Sequence, residues 1–256
     1  MTLRSLQLFV ERLGAHTCLT EEERLVLLSL PTSIYQVSTE QALVQPNEPV
    51  QSSCIVLRGI LAGTSNIQDG ERQITSFYVP GDMPDLHTLL RPKANFGLRA
   101  VCSSDIARVP HAALLEAMRR FAGISEAFAR ELVREGDVRS EWVVNLGKRT
   151  AKQRIAHLFC EMAVRTKMDK ETHTEFPFPV TQAVLADATG LSTVHVNRSI
   201  QALRHEGLLS FVRGTAQIPD WKALAKAADF DRGYLEVSAP MRRLTLAPSE
   251  GLRTAS

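Results

Sequence analysis

What the chain has little of narrows it first. Four cysteines, Cys18, Cys54, Cys102 and Cys160, stand far apart among 256 residues, and no two share a CxxC spacing. That leaves out a zinc knuckle and the clustered cysteines of an iron–sulfur site. Buried, reduced thiols are the expected state, with a redox-sensing cysteine as the alternative. No run of 18 apolar residues occurs, so no transmembrane helix and no membrane partner is expected. The first residues hold no long apolar segment and no cleavage site, which predicts no signal peptide and a cytoplasmic protein. A Gly-rich phosphate loop, a GxSxG and an HExxH are all missing, which argues against an enzyme. Net charge is only +2.

What is present centres on residues 181–209, TQAVLADATGLSTVHVNRSIQALRHEGLL. The spacing predicts two short helices and a tight turn. Thr181 can cap the first, over 181–189, because its hydroxyl accepts from a first-turn amide. Val184, Leu185 and Ala188 give that helix one apolar face. Gly190 can take the left-handed conformation that ends it. Ser192 can cap a second helix over 193–205, with Val196, Ile200 and Leu203 buried. Ala186 lets two helices cross closely, four residues before the glycine and ten before Val196. That is the spacing of a helix-turn-helix, whose second helix enters the DNA major groove. An ordinary αα-hairpin is the alternative. Thr193, His195, Asn197 and Arg198 on the solvent side are all able to read base edges. Residues 208–214 and 216–218 then read as two short strands about Gly214-Thr215, a wing.

Charge is uneven. Residues 1–122 carry 11 Lys and Arg against 12 Asp and Glu, while residues 148–213 carry 10 against 6. The basic bias around the two helices suits phosphate contact, although a solvated helix face gives the same count.

Taken in order, residues 3–30 are helical in pattern, with Thr20 and Glu23 forming a capping box. Over 33–110 the texture turns to short alternating runs, predicting strands at 33–37, 42–45, 53–58, 60–66, 72–79, 98–102 and 105–109. Their even spacing suggests an antiparallel barrel or sandwich, able to hold a ligand or to be filled by its own side chains. Residues 91–97 read as a loop. Helical texture returns at 111–120 and over 124–146. Ile124, Phe128, Leu132, Val138, Trp142 and Leu146 form a broken apolar stripe there. That stripe is expected to be a dimer seam, the alternative being packing on its own barrel. A further helix covers 150–166, with Ile155, Leu158, Phe159, Met162 and Ala163 inward. A charged connector follows at 167–175, then Phe176-Pro177-Phe178-Pro179, held extended by its prolines. A last short helix starts at Asp220-Trp221, and the tail 238–256 is expected to be disordered.

This order of barrel, long helix and winged helix-turn-helix resembles the Crp/Fnr family of bacterial transcription regulators over about residues 8–234. The best-matching stretch is LADATGLS through Arg198, then 203–208. Phe77-Tyr78-Val79-Pro80-Gly81-Asp82 is similar to the family's turn before its ligand-binding cassette. The fold class implied is α+β: an antiparallel, cyclic-nucleotide-binding-like barrel domain (1–122), a dimerisation helix (123–147) and a winged helix-turn-helix domain (148–237). The resemblance implies a homodimer on palindromic double-stranded DNA, with RNA polymerase as a further partner. Base contacts would come from Thr193, Val194, His195, Asn197 and Arg198, phosphate contacts from Thr181, Ser192, Arg204 and Arg213. An effector of unknown identity would sit near Gly81, Asp82, Asp85 and Arg99.

Departures from the family pattern matter. Members that bind cyclic AMP carry a Gly-Glu pair for the ribose and an Arg-Ser pair for the phosphate. Here Met83-Pro84-Asp85-Leu86-His87 follows Gly81-Asp82, and Asn95-Phe96-Gly97-Leu98 stands where Arg-Ser would fall. Arg99 reads as the start of a strand. With no fixed guanidinium to offset burial of a phosphate, cyclic AMP is not the expected effector. Haem is not expected either, since His87 is a lone histidine in a loop. Val194 occupies the slot of the family's glutamate, so the operator should differ at that base. Two other readings stay open: a regulator with a degenerate barrel and no effector, and an enzyme or ligand-binding module with an incidental helix pair.

Overall fold

The computed structural model describes residues 6–68, 70–166 and 175–235. Two helices lead, α1 (Gln7–His16) and α2 (Glu21–Leu28). Thr20 caps α2 by accepting from the Glu23 amide, while the Glu23 carboxylate accepts from the Thr20 amide. Seven strands follow: β1 (Ser33–Val37), β2 (Ala42–Val44), β3 (Ser52–Arg58), β4 (Leu61–Asn66), β5 (Arg72–Tyr78), β6 (Gly97–Ala100) and β7 (Ser104–Pro110). They form two antiparallel sheets, ordered β1-β7-β3 and β2-β6-β4-β5. Val37, Val44, Val56, Leu61, Tyr78, Leu98 and Ile106 pack between the sheets. The alternation of apolar residues along each strand is what turns these side chains inward.

Three helices come next: α3 (His111–Arg120), α4 (Ala122–Lys148) and α5 (Ala151–Arg165). The C-terminal unit is completed by β8 (Glu175–Pro177), α6 (Gln182–Thr189), α7 (Thr193–His205), β9 (Ser210–Val212), β10 (Thr215–Gln217) and α8 (Trp221–Ala228). Residues 175–177 are more than an extended lead-in. They pair with β10, which pairs with β9, so the wing is a three-stranded sheet. The connector over 167–174 and the tail over 238–256 lie outside the described residues.

Burial changes the reading of α4. Ile124 and Phe128 are buried among α1, α2, α3 and the barrel, with the Phe9 and Phe128 rings 6.2 Å apart. Val138 and Trp142 are buried too, and the Trp142 ring meets Phe77 edge-on at 5.8 Å. The Trp142 indole N–H donates to Glu161 of α5 at 2.9 Å. Leu132 and Leu146 are half-buried. The expected dimer seam is therefore used within the chain: it packs α4 onto its own barrel and onto α5.

One apolar core runs across the two halves. Phe77 of β5 meets Phe178 at 5.6 Å, and Phe178 meets Phe159 of α5 at 5.5 Å. Cys54 and Cys160 are buried and Cys102 is half-buried, whereas Cys18 is exposed, against the expectation of a uniformly buried set. Among the described residues, no helix is long and apolar enough to cross a membrane.

Candidate nucleic-acid interface

Local chemistry builds the helix pair. The Thr181 hydroxyl accepts from the Val184 amide at 3.2 Å and starts α6. Gly190 ends it at φ +61°, the left-handed region that side chains with a Cβ avoid. Ser192 then caps α7, accepting from the His195 amide at 3.3 Å. Val184, Leu185 and Ala188 on α6 and Val196, Ile200 and Leu203 on α7 are buried together. Each larger side chain contributes about 1.5–3 kcal/mol by leaving water. That burial fixes which face of α7 is left outside.

The outer face holds Thr193, Val194, His195, Asn197 and Arg198, all exposed. Val194 is 64% exposed, an apolar residue with no fold to support. Thr193, Val194, Asn197 and Arg198 share a shallow depression with Gln182 of α6. Sequence reasoning missed Gln182. Its place at the first position of α6, one residue after the cap, was the available signal. The Asn197 amide donates to the Gln182 carbonyl at 3.4 Å. His195 Nδ1 lies 3.1 Å from the Ser192 hydroxyl. Arg204 is exposed on α7, and Arg213 is exposed at the wing turn with φ +50°. Arg213 and Gly214, φ +75°, together make the turn between β9 and β10. Thr181 and Ser192 are exposed at the starts of their helices, where unpaired amides favour an anion.

The four residues assigned to an effector pocket do not come together. Asp82 is buried. It lies 2.7 Å from Arg12 of α1, 2.9 Å from Arg165 of α5 and 3.5 Å from Arg134 of α4, and accepts from the Val79 amide at 2.7 Å. Burial alone would raise its pKa, but Arg12, Arg165 and Arg134 hold it below the usual carboxylate range. Gly81, at φ +92°, makes the turn that places Asp82, and a Cβ there would meet the Leu8 carbonyl at 3.0 Å. Asp85 is also buried, accepting from the Cys54 amide at 2.7 Å, with Arg108 3.8 Å away. Burial pushes its carboxyl up to about 6. Arg99 lies elsewhere, on β6, where it donates to the Glu40 carbonyl and pairs with the Glu40 carboxylate at 3.5 Å.

His87 is not a solvated loop histidine. Its ring stacks on Phe96 at 5.1 Å, and among the described residues neither ring nitrogen has a hydrogen-bond partner. Burial, with Arg139 and Arg91 nearby, lowers its pKa to about 4. Arg139 of α4 sits over the same Phe96 ring and donates to the Tyr78 hydroxyl and to Glu135. These side chains lie between the barrel and α4.

The helix pair is tied to the barrel. Arg72 of β5 donates from Nε to Asp187 of α6 at 2.8 Å and from Nη1 to Glu40 at 2.8 Å. Gln73 donates to the Asp187 carbonyl at 2.7 Å. Arg154 of α5 donates to the Thr189 carbonyl at 3.1 Å.

Comparison with known proteins agrees with this layout. Residues 153–227 match the Crp-like helix-turn-helix domain, and residues 35–121 match the cyclic nucleotide-binding domain. A probable transcriptional activator of Rhizobium leguminosarum bv. viciae is 26% identical over 157 residues, 60% of this chain and 63% of that protein. The nitrogen fixation regulation protein FixK of Bradyrhizobium diazoefficiens is 28% identical over 172 residues, 64% of this chain and 69% of that protein. The structure of FixK2 from Bradyrhizobium japonicum superposes with a TM-score of 0.71 at 21% identity, covering 77% of this chain and 98% of that one. With both domains present in this order and joined by the long helix α4, the chain belongs to the Crp/Fnr family, a family of DNA-binding transcription regulators and not of enzymes.

Proposed function

We propose that the chain acts as a homodimer that binds a palindromic DNA operator, each α7 entering one of two successive major grooves about 34 Å apart. The observation that carries this is the outer face of α7, where Thr193, Val194, His195, Asn197 and Arg198 are exposed together. Arg198 is suited to guanine through two N–H groups, and Val194 to a thymine methyl. Thr181, Ser192, Arg204 and Arg213 flank that face and would hold phosphates. A cytoplasmic location and a contact with RNA polymerase go with this reading.

The dimer seam we assign to the other side of α4. Ala129, Val133, Gly136, Ser140, Val143 and Gly147 are all exposed, and their steps of four and three residues repeat the heptad. Val133 and Val143 are 62% and 70% exposed. The small residues between them let two α4 helices approach closely. Sedimentation of the chain with an operator duplex tests this: two chains per duplex are expected, and one chain per duplex would overturn it.

A second reading of the barrel has a specific observation in its favour. Tyr78, His87, Phe96 and Arg139 occupy the space between barrel and α4, and Arg99 is held by Glu40 on another face. That supports a regulator that binds DNA with no small molecule in the barrel, and disfavours cyclic AMP as effector. Operator binding by ligand-free protein, unchanged by cyclic AMP, is the expected result.

A further inference from the structure

The reading surface extends beyond α7, and Gln182 of α6 is the residue that extends it. Gln182 and Asn197 are fifteen positions apart, on different helices, both exposed and both lining the depression at the start of α7. One amide donates to the other at 3.4 Å. An amide has one acceptor oxygen and one NH2 donor group. Whichever of the two donates, the pair then spends one oxygen on one N–H and keeps the other oxygen and the other NH2 for a ligand. Each NH2 carries two N–H groups, so Asn197 keeps its oxygen and one N–H for a base while Gln182 takes the other N–H, sets the orientation of the Asn197 amide and brings a free NH2 of its own to the same depression.

A free acceptor together with a free donor is the complement of the major-groove edge of adenine, which offers the N6 amino group as donor and N7 as acceptor. Guanine offers two acceptors there, and cytosine a donor without the paired acceptor. Neither amide has a role in the fold that explains it. Thr181 already caps α6, and both side chains lie outside the buried face of the helix pair. We infer that Gln182 is a specificity-determining residue that acts jointly with Asn197 to select one adenine in each half-site. This rests on the reading of the chain as an operator-binding homodimer.

The test uses the full chain and double-stranded DNA selected from a random pool by the unaltered protein. Affinities of the unaltered protein, Gln182→Ala, Gln182→Met, Asn197→Ala and the double variant Gln182→Ala/Asn197→Ala are measured on the selected duplex. They are measured again on duplexes with the half-site adenine replaced by each other base. Both positions are exposed, and the methionine variant keeps the length and helix preference of glutamine, so unchanged melting is the control. The expected result is an adenine preference of at least about tenfold. Each single variant should lose most of it, and the double variant little more than either one. Retained preference in both Gln182 variants would overturn the inference. So would a uniform loss on every duplex, which would make Gln182 a phosphate contact only, or a selected half-site without the adenine. Failure of the unaltered protein to enrich any duplex would instead remove the operator-binding reading itself.

Discussion

Asp85 shows most plainly what a single residue costs this fold. One carboxylate oxygen accepts from the Cys54 amide, and the other is buried with no hydrogen-bond partner among the described residues, Arg108 standing 3.8 Å from it. Burial raises the carboxyl to about 6, against about 4 in an unfolded chain. The folded state therefore holds a proton more tightly than the unfolded state between those values. Stability from this group is fully present below about pH 4 and is lost as pH rises through about 6. Asp85→Asn keeps an acceptor for the Cys54 amide and has no charge to bury. Denaturant unfolding should find the variant more stable than the parent at pH 7.5, by about 1–3 kcal/mol, with the gap closing at pH 4. A gap that does not depend on pH would contradict the assignment. The sequence showed Asp82 and Asp85 as neighbours in a turn but could not show their burial. Their partners stand 31 to 83 positions away, at Cys54, Arg12 and Arg165. The caps Thr181 and Ser192 were legible because a cap is defined by the amide three places on, at Val184 and His195.

At the scale of elements, α4 serves two surfaces. Its large apolar residues, Phe128 and Trp142 among them, face its own chain. Ala129, Gly136, Ser140 and Gly147 face outward. The sequence reading took the stronger stripe for the dimer seam, since leucine, phenylalanine and tryptophan dominate any periodicity. A stripe of alanine, glycine, serine and valine carries little apolar signal in the sequence, and its exposure is what supports proposing it as the seam. A Cβ on Gly136 or Gly147 would meet nothing within 4 Å in the chain itself. Gly136→Arg combined with Val143→Asp should then leave each protomer folded, with melting little changed, yet shift sedimentation from dimer to monomer. Operator affinity should fall at least about tenfold, because each half-site loses its linked neighbour. An intact dimer in that variant would contradict the seam. The helices of the reading head and the barrel strands were read correctly within a residue or two, each being set by local capping or alternation. The pairing of β8 with β10 was not, since Phe176-Pro177-Phe178 looks the same paired or unpaired.

At the scale of the whole molecule, barrel, α4 and reading head are joined by one core and one buried ion cluster. Asp82 is its centre, with arginines from α1, α4 and α5 around one carboxylate. Arg134 is also held by Glu131, and Arg165 by Glu161, so the cluster balances its charges. Asp82→Asn would leave the buried Arg134 and Arg165 and the half-buried Arg12 with too little negative charge between them. Removing one partner of a buried pair typically costs about 3–5 kcal/mol, and thermal unfolding should show a loss of that order. A variant as stable as the parent would mean that the cluster does not join the parts. Arg72 and Gln73, holding Asp187, add a second tie between barrel and α6. The reading head is thus held to the body that carries the proposed dimer seam, and two such heads on one α4 pair would read DNA in a fixed spacing. The most direct test of that claim is selection from random double-stranded DNA by the full chain, followed by affinity measurement on the enriched sequence. A palindrome with half-site centres one helical turn apart is predicted, on which Arg198→Ala binds about 5- to 150-fold more weakly, corresponding to about 1–3 kcal/mol. No enriched palindrome, or full affinity of the Arg198→Ala variant, would contradict it.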